Sequence, residues 1–195
     1  METIKIKTIE VAGLAGALTA LRLPFGKEMR STVDYDLTYW GEFGDNTEDE
    51  RLAKAGIETK IRVSIDPKDY SLMSTLVRRG DEHAKVLRGV MVWAEIECPI
   101  YFARELETYR HGRERLSCTS TMHQECHGLS GEELQKAKAE MPMGTPCKFV
   151  DAYSYQTLRR IVHQRKGHRL PEWSAFIDWV ASLPFSEELI FTGME

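Results

Sequence analysis

Hydrophobic positions along the chain recur with two periods, and the switches between them give a first map of its elements. Residues 3–9 alternate, with Ile4 and Ile6 on one side, and predict an opening strand. From Val11 the apolar positions Val11, Leu14, Ala15, Leu18 and Leu21 predict a short helix, stopped by Pro24 and Gly26. Period two returns at Val33, Tyr35, Leu37 and Tyr39, and again at Ile57, Thr59, Ile61, Val63 and Ile65. Asp66-Pro67 marks a turn and a helix start. Tyr70, Met73, Leu76 and Val77 then repeat at helical spacing, and Gly80 after Arg78 and Arg79 supplies the stop.

In the second half Val90, Val92, Ala94 and Ile96 predict a central strand, preceded by a helix over 82–89. Pro99 opens a helix that the pattern carries through an arginine-rich stretch. Phe102, Leu106, Tyr109 and Leu116 form its apolar side with Arg113 on the same stripe, and Arg104, Thr108, His111 and Arg115 lie opposite. Ser130 with Glu133 three residues on is a capping-box pattern for a solvent-facing helix, and MPMGTP is a break. Ser154 to Arg165 reads as a helix with Tyr155, Leu158, Ile161 and Val162 inward. Gly167 interrupts it, Pro171 starts a final helix with Trp173, Phe176, Ile177 and Val180 in phase, and Pro184 ends that one. The expectation is a single α+β domain over residues 1–195, with a mixed or antiparallel sheet, several long helices and an exposed acidic loop at 42–56.

Composition narrows the chemistry. The chain has 195 residues, 42% of them hydrophobic, enough for a real core, and a formal charge of only -4. That balance argues against a nucleic-acid footprint spread over the surface, and the basic run at 159–169 carries no recognised reading motif. Cys98, Cys118, Cys126 and Cys147 have neither zinc-ribbon spacing nor scaffold density, so free thiols in a reducing compartment are expected. The apolar run at 10–23 is shorter than a bilayer span and the first ten residues carry alternating charges, so the expectation is a soluble, cytoplasmic protein without a membrane partner. His123, Cys126 and His127, with Cys118, offer soft ligands, but nothing in their spacing forces convergence, and no metal site is expected. A P-loop, a dinucleotide fingerprint and a nucleophile elbow are all missing.

What remains is anion chemistry. An arginine on a packing stripe needs a partner, and Arg113 has two candidates: an internal glutamate, Glu95 or Glu97, or a bound phosphate or carboxylate. Arg110, Arg113 and Arg115 together with Arg159, Arg165 or Arg169 would supply guanidinium forks, and Ser117 and Ser120 would orient phosphate oxygens. Tyr109 and Trp173 either stack on a planar ring or pack a helix. The pieces suit a phosphorylated planar ligand without revealing the reaction.

Four segments in order over residues 69–180, LVRRGDEH, CPIYFAREL, TYRHGRERLSCTS and LRRIVHQRKGHRLPEWSAF, carry a family resemblance: the chain resembles a diverged member of the flavin-dependent thymidylate synthase family. The resemblance implies that family's fold, a homotetramer, and FAD and the pyrimidine nucleotide dUMP bound where subunits meet. It further implies methylenetetrahydrofolate as carbon donor and a reduced nicotinamide cofactor as reductant. His83 matches the family histidine that helps bind flavin, and Arg110 with His111 matches the Arg/His-rich signature. Ser117 or Ser120 corresponds to the phosphate-contacting serine, Arg165 or Arg169 to the late nucleotide arginine, and Arg113 and Arg115 are further substrate-site candidates. No protein nucleophile is implied, because the flavin carries the redox chemistry. The implied activity is methylation of dUMP, with hydroxymethyl transfer to a pyrimidine nucleotide and a non-catalytic nucleotide-binding role as alternatives. The family pattern R-H-R followed by S-x-R reads here as R-H-G, and no arginine stands two positions after Ser117 or Ser120.

Overall fold

A computed structural model describes residues 4–40 and 56–193. All but the last residue of the expected acidic loop at 42–56 lies outside that range, and Gly56 itself begins a strand. The chain forms two compact units, Leu14–Leu72 and a larger one made of Met1–Gly13 and Met73–Glu195.

In the smaller unit, α1 (Leu14–Arg22) buries Leu14, Ala17, Leu18 and Leu21, and a 3-10 turn at Leu23–Phe25 ends on Gly26 in the left-handed region, as Pro24 and Gly26 predict. β2 (Thr32–Trp40) and β3 (Gly56–Ser64) pair antiparallel from Thr32↔Ser64 to Trp40↔Gly56, where the alternating runs place them. The unit ends within α2 (Pro67–Arg78), which opens with Asp69 in its first turn. Asp69 is fully buried and accepts from Ser31 Oγ at 2.7 Å, the amides of Ser31 and Arg30 at 2.8 and 2.9 Å, and Arg22 Nε at 2.5 Å. Burial alone would raise its pKa, but these donors outweigh burial and hold the carboxyl below its usual value.

The larger unit is built on an antiparallel sheet in the order β1-β4-β6-β5, comprising β1 (Lys5–Ala12), β4 (Met91–Pro99), β6 (Pro146–Ser154) and β5 (Arg113–Cys118). β4 alternates as the sequence predicts: Val92, Ala94, Ile96 and Cys98 are buried, and the residues between them are half-exposed. Opposite residues share a face, so this buried row continues across β6 as Cys147, Phe149, Asp151 and Tyr153. α7 (Pro171–Ala181) covers it: Tyr153 meets Phe176 and Trp179 at 6.0 and 6.3 Å between ring centres, and Trp179 Nε1 donates to Thr8 Oγ1 at 2.9 Å. Trp173 packs on Phe102 of α4 (Ile100–Leu106) at 4.7 Å. The reverse face carries Glu95, Glu97 and Lys148, paired at 3.3 and 3.6 Å.

α6 (Tyr155–Arg165) follows β6 directly and buries Tyr155, Leu158, Ile161 and Val162, the four residues of its predicted inner face. α5 (Gly131–Ala139) starts after Ser130 and has no buried residue, although the Ser130 hydroxyl makes no cap bond. The helix expected over 82–89 shortens to a single turn, α3 (Val86–Gly89). Among the described residues no helix is long and apolar enough to cross a membrane.

The largest departure concerns the arginine-rich stretch. The predicted helix from Pro99 stops at Leu106, and Arg113–Cys118 is an edge strand. Between them Gly112 takes a φ of 73°, which a helix does not permit. A Cβ there would stand 2.5 Å from Thr157 Oγ1 and 2.6 Å from Ser154 Oγ. The stripe that includes Arg113 reproduced helical phase across what is a turn. β6 drew no strand expectation at all, although Phe149 and Tyr153 alternate on its buried side.

Candidate functional site

Local backbone geometry ties two turns that carry basic residues to the start of α6. Ser154 caps that helix, its Oγ accepting from the Thr157 amide at 3.2 Å. Thr157 Oγ1 in turn donates to the His111 carbonyl at 2.5 Å, and the Ser154 amide donates to the Gly112 carbonyl at 2.8 Å. The turn Arg110-His111-Gly112 is thereby tied to the helix start, with the side chains of Arg110 and His111 exposed. On the adjacent residue, Gln156 Nε2 donates to the Asp81 carbonyl at 3.2 Å, and Arg88 Nη2 reaches the same oxygen at 3.4 Å. Asp81 belongs to the turn whose His83 amide returns to the Gly80 carbonyl at 3.0 Å, leaving the His83 side chain exposed. His83, Arg110 and His111, distant in sequence, therefore sit on two turns hung from consecutive residues of α6.

Along the same helix a cavity of about 250 Å³ is lined by Gly80, Asp81, Arg159, Arg160, His163 and Gln164. Arg159 is fixed by donating to the carbonyls of Ile190 and Thr192 at 2.6 and 2.8 Å, and burial pushes its guanidinium pKa down. The chemical character of this hollow is cationic, suited to an anion.

At the far end of α6, Arg165 is boxed by aromatic rings. Its Nε donates to Tyr109 Oη at 2.7 Å, its guanidinium lies 4.4 Å from the Trp173 ring centre, and Nη1 stands 3.5 Å from Glu105 Oε2. Trp173 Nε1 donates to the same Glu105 oxygen at 2.9 Å. Tyr109 and Trp173 thus pack the arginine, edge to face with each other at 6.0 Å. Arg169 follows in the turn before α7, exposed and without an ion-pair partner among the described residues.

Arg113 and Arg115 occupy a different environment. Asp151 of β6, fully buried, accepts from Arg113 Nε at 2.7 Å and Nη2 at 2.5 Å, from Arg115 Nε at 2.9 Å and from Tyr153 Oη at 2.8 Å. Arg113 Nη1 donates to the Leu106 carbonyl at 2.7 Å, closing the turn between α4 and β5 from inside. Arg115 Nη1 meets Glu107 at 2.7 Å, with the guanidinium 3.7 Å from the Phe149 ring centre. The internal partner of Arg113 is therefore Asp151; Glu95 and Glu97 lie on the opposite face of β4. The proximity of Asp151 and Glu107 outweighs burial and keeps Arg115 firmly charged.

A register shift between Arg115 and Ser117 turns the strand over. Ser117 is opposite Val150 and so faces away from Arg115 and Asp151. Ser120 lies past the strand end, its Oγ accepting from the Met122 amide at 3.2 Å. The fold brings His83, Arg110 and His111 to one helix start, puts Arg165 and Arg169 near its other end, and separates Ser117 from Arg113 and Arg115. Asp151, Gly112 and Thr157 went unnoticed in the sequence. The usable signal for Asp151 was an acid between Phe149 and Tyr153, on one face with two aromatics, which demands a buried partner. Among the described residues, no three His, Cys, Asp or Glu side chains are grouped to hold a metal ion.

In sequence the chain matches neither a protein-family model nor a curated protein. In structure it is similar to thymidylate synthase X (ThyX) of Helicobacter pylori with FAD and dUMP, at 12% identity and a TM-score of 0.65, over 98% of this chain and 100% of that one. A second structure, flavin-dependent thymidylate synthase ThyX of Helicobacter pylori complexed with FAD and dUMP, aligns at 13% identity and a TM-score of 0.62, over 96% and 97% of the two chains. This α+β chain, with its antiparallel sheet and long helices, has the fold of those two structures along nearly its whole length.

Proposed function

We propose that the protein is a diverged flavin-dependent thymidylate synthase that binds FAD and a pyrimidine deoxynucleotide and transfers one carbon unit to it, with methylation of dUMP the leading reaction. The observation that carries this reading is the clustering of His83, Arg110 and His111 at the start of α6 in a chain whose fold matches FAD- and dUMP-containing structures end to end. In this reading the exposed Arg110, His111 and His83 hold the flavin's phosphates and ring edge, and Arg159 and Arg160 add charge from the hollow that Gly80 and Asp81 also line. Arg165 and Arg169 meet the nucleotide, and Ser117 and Ser120 remain phosphate contacts, reached from the sheet face opposite Asp151. Arg113 and Arg115 act through the fold, holding the turn that presents Arg110 and His111. The hollow of about 250 Å³ is small for a dinucleotide, and the homotetramer that the resemblance implies would bring a second copy to complete the site. The flavin, once reduced by a nicotinamide cofactor, would supply the hydride after transfer from methylenetetrahydrofolate, while this chain's residues position and charge-match the reactants.

The test is an absorbance spectrum of the purified protein after FAD reconstitution, followed by titration with dUMP. Retained yellow flavin whose spectrum shifts with dUMP, and thymidylate formed on adding folate and reductant, is the expected outcome. A protein that stays colourless and binds no dUMP refutes the proposal. A second reading, a nucleotide-binding protein without turnover, is favoured by the neutralisation of Arg113 and Arg115 by Asp151 and Glu107. Flavin and dUMP binding without product would select it, and a hydroxymethylated product would identify the alternative transfer.

A further inference from the structure

Two of the four cysteines face each other across the sheet, in a position that the proposed reaction does not use. Cys98 of β4 and Cys147 of β6 are direct register partners, and Cys147 Sγ lies 3.4 Å from the Cys98 carbonyl oxygen. Opposed residues in an antiparallel ladder have Cα atoms about 4.5–5.5 Å apart. That separation falls inside the roughly 4.4–6.8 Å that a disulfide spans. Both side chains leave the same face of the sheet, so no backbone rearrangement separates them.

Their access to solvent differs. Cys98 is 2% exposed, whereas Cys147 is partly exposed and lines an open groove of about 340 Å³ with Glu97, Thr119, Gln124, Pro146 and Lys148. Cys118 is exposed on the edge strand and Cys126 is buried, and neither is register-paired with another cysteine.

We propose that Cys98 and Cys147 form a hydroperoxide-reactive dithiol, with Cys147 the attacking and Cys98 the resolving thiol. The electrostatics agree with that division of labour. A hydrogen bond from the Cys98 thiol holds the Cys147 pKa below its usual value against the effect of burial, and Arg115 adds to this, while the same contact and burial push Cys98 far up. The Cys147 thiolate attacks one peroxide oxygen, forming an S–O bond as the O–O bond breaks, and hydroxide leaves. Sulfur is oxidised by two electrons to the sulfenic acid and the peroxide is reduced. Cys98 sulfur then attacks the Cys147 sulfur, the S–S bond forms, the S–O bond breaks, and the hydroxyl leaves with the Cys98 proton as water.

The experiment treats the full chain with substoichiometric hydrogen peroxide, alkylates the remaining thiols, and maps peptides by mass spectrometry. A Cys98–Cys147 crosslinked peptide, lighter by two hydrogen atoms, is expected, with Cys118 and Cys126 still alkylated. C98S, shown folded by its thermal melt, should accumulate a sulfenic acid on Cys147 that dimedone traps, and C147S should lose the peroxide response at Cys98. Oxidation of Cys118 alone, or crosslinks that pair Cys147 with any other cysteine, overturns the proposal. So does a Cys147 that survives peroxide after Cys118 is consumed. Peptide mapping of the unmutated chain decides the matter even if a variant fails to fold.

Discussion

Replacing Asp151 by asparagine tests whether the arginine-rich stretch is held from within. Among the described residues Asp151 is the only acidic side chain that meets Arg113, whose own side chain is 6% exposed. Asparagine keeps the volume but removes the charge, and its amide group places donors against the donors of Arg113, Arg115 and Tyr153. Removing one partner of a buried ion pair costs about 3–5 kcal/mol, because the surviving charge is left uncompensated. Arg115 is 21% exposed, its partner Glu107 is 55% exposed and Asp151 would retain Arg113, so Arg115→Gln should cost only about 1 kcal/mol. With a urea dependence of roughly 2 kcal/mol per molar, D151N should lower the unfolding midpoint by about 2 M, and R115Q by about 0.5 M. Urea titration followed by circular dichroism measures both. An Asp151→Leu, Arg113→Met double variant, which fills the same space without charge, should recover most of the loss. D151N within about 1 kcal/mol of the parent, or a double variant no better than the single one, would refute the account of Arg113 as an internally paired residue.

Three further outcomes are expected. Gly112→Ala meets both a positive φ and the hydroxyls of Ser154 and Thr157, and should destabilise by about 2–4 kcal/mol in the same titration. Asp69 has a depressed folded pKa, so its contribution to stability is complete above its unfolded value near pH 4 and is lost as pH falls through the lower folded value. The stability gap between the parent and Asp69→Asn should therefore be constant from about pH 7 to about pH 5 and close in stronger acid; a gap that does not change with acid contradicts the buried, donor-held carboxylate. Oxidation to a Cys98–Cys147 crosslink closes a loop between residues 49 apart, worth about 4 kcal/mol by chain entropy, and should raise the thermal midpoint by about 8–16 °C, reversed by a thiol reductant.

Much of the architecture was written in local periodicity. α6 and α7 declare themselves because Tyr155, Leu158, Ile161 and Val162, then Trp173 and Phe176, repeat at helical spacing between explicit stops at Gly167 and Pro184. β4 is equally legible, since a central strand with one packed face alternates cleanly. The failures arise where tertiary pairing overrides local phase. Residues 107–112 have no periodicity of their own, and with only a turn between Leu106 and Arg113 the seven-residue spacing of helix stripe positions was met by chance. β6 was missed because its buried row includes a charge, and Asp151 makes sense only beside Arg113, 38 residues earlier in sequence.

The same override accounts for where the chain departs from the pattern of the family it resembles. In the stretch RHGRER the third signature position is glycine, and the space a side chain would need is occupied by the hydroxyls of Thr157 and Ser154. Closing the turn that tightly brings Arg113 under the sheet, where its Nη1 satisfies the last carbonyl of α4 and its other nitrogens meet Asp151. An arginine so engaged has no donor fork left for a phosphate, and exposing it would leave the buried Asp151 with Arg115 as its one remaining charged partner among the described residues, beside the Tyr153 hydroxyl. Under the proposed function, guanidinium groups open to a ligand then come from elsewhere. The described residues offer Arg110 on the turn itself, Arg160 at the cationic hollow and Arg169 before α7, all without an ion-pair partner among those residues. No arginine stands two positions after Ser117, and the register shift turns Ser117 to the face opposite Asp151, away from the paired arginines. On the proposed reading, Arg113 and Arg115 stabilise the turn, and the charge offered to a ligand lies on the flanks of α6.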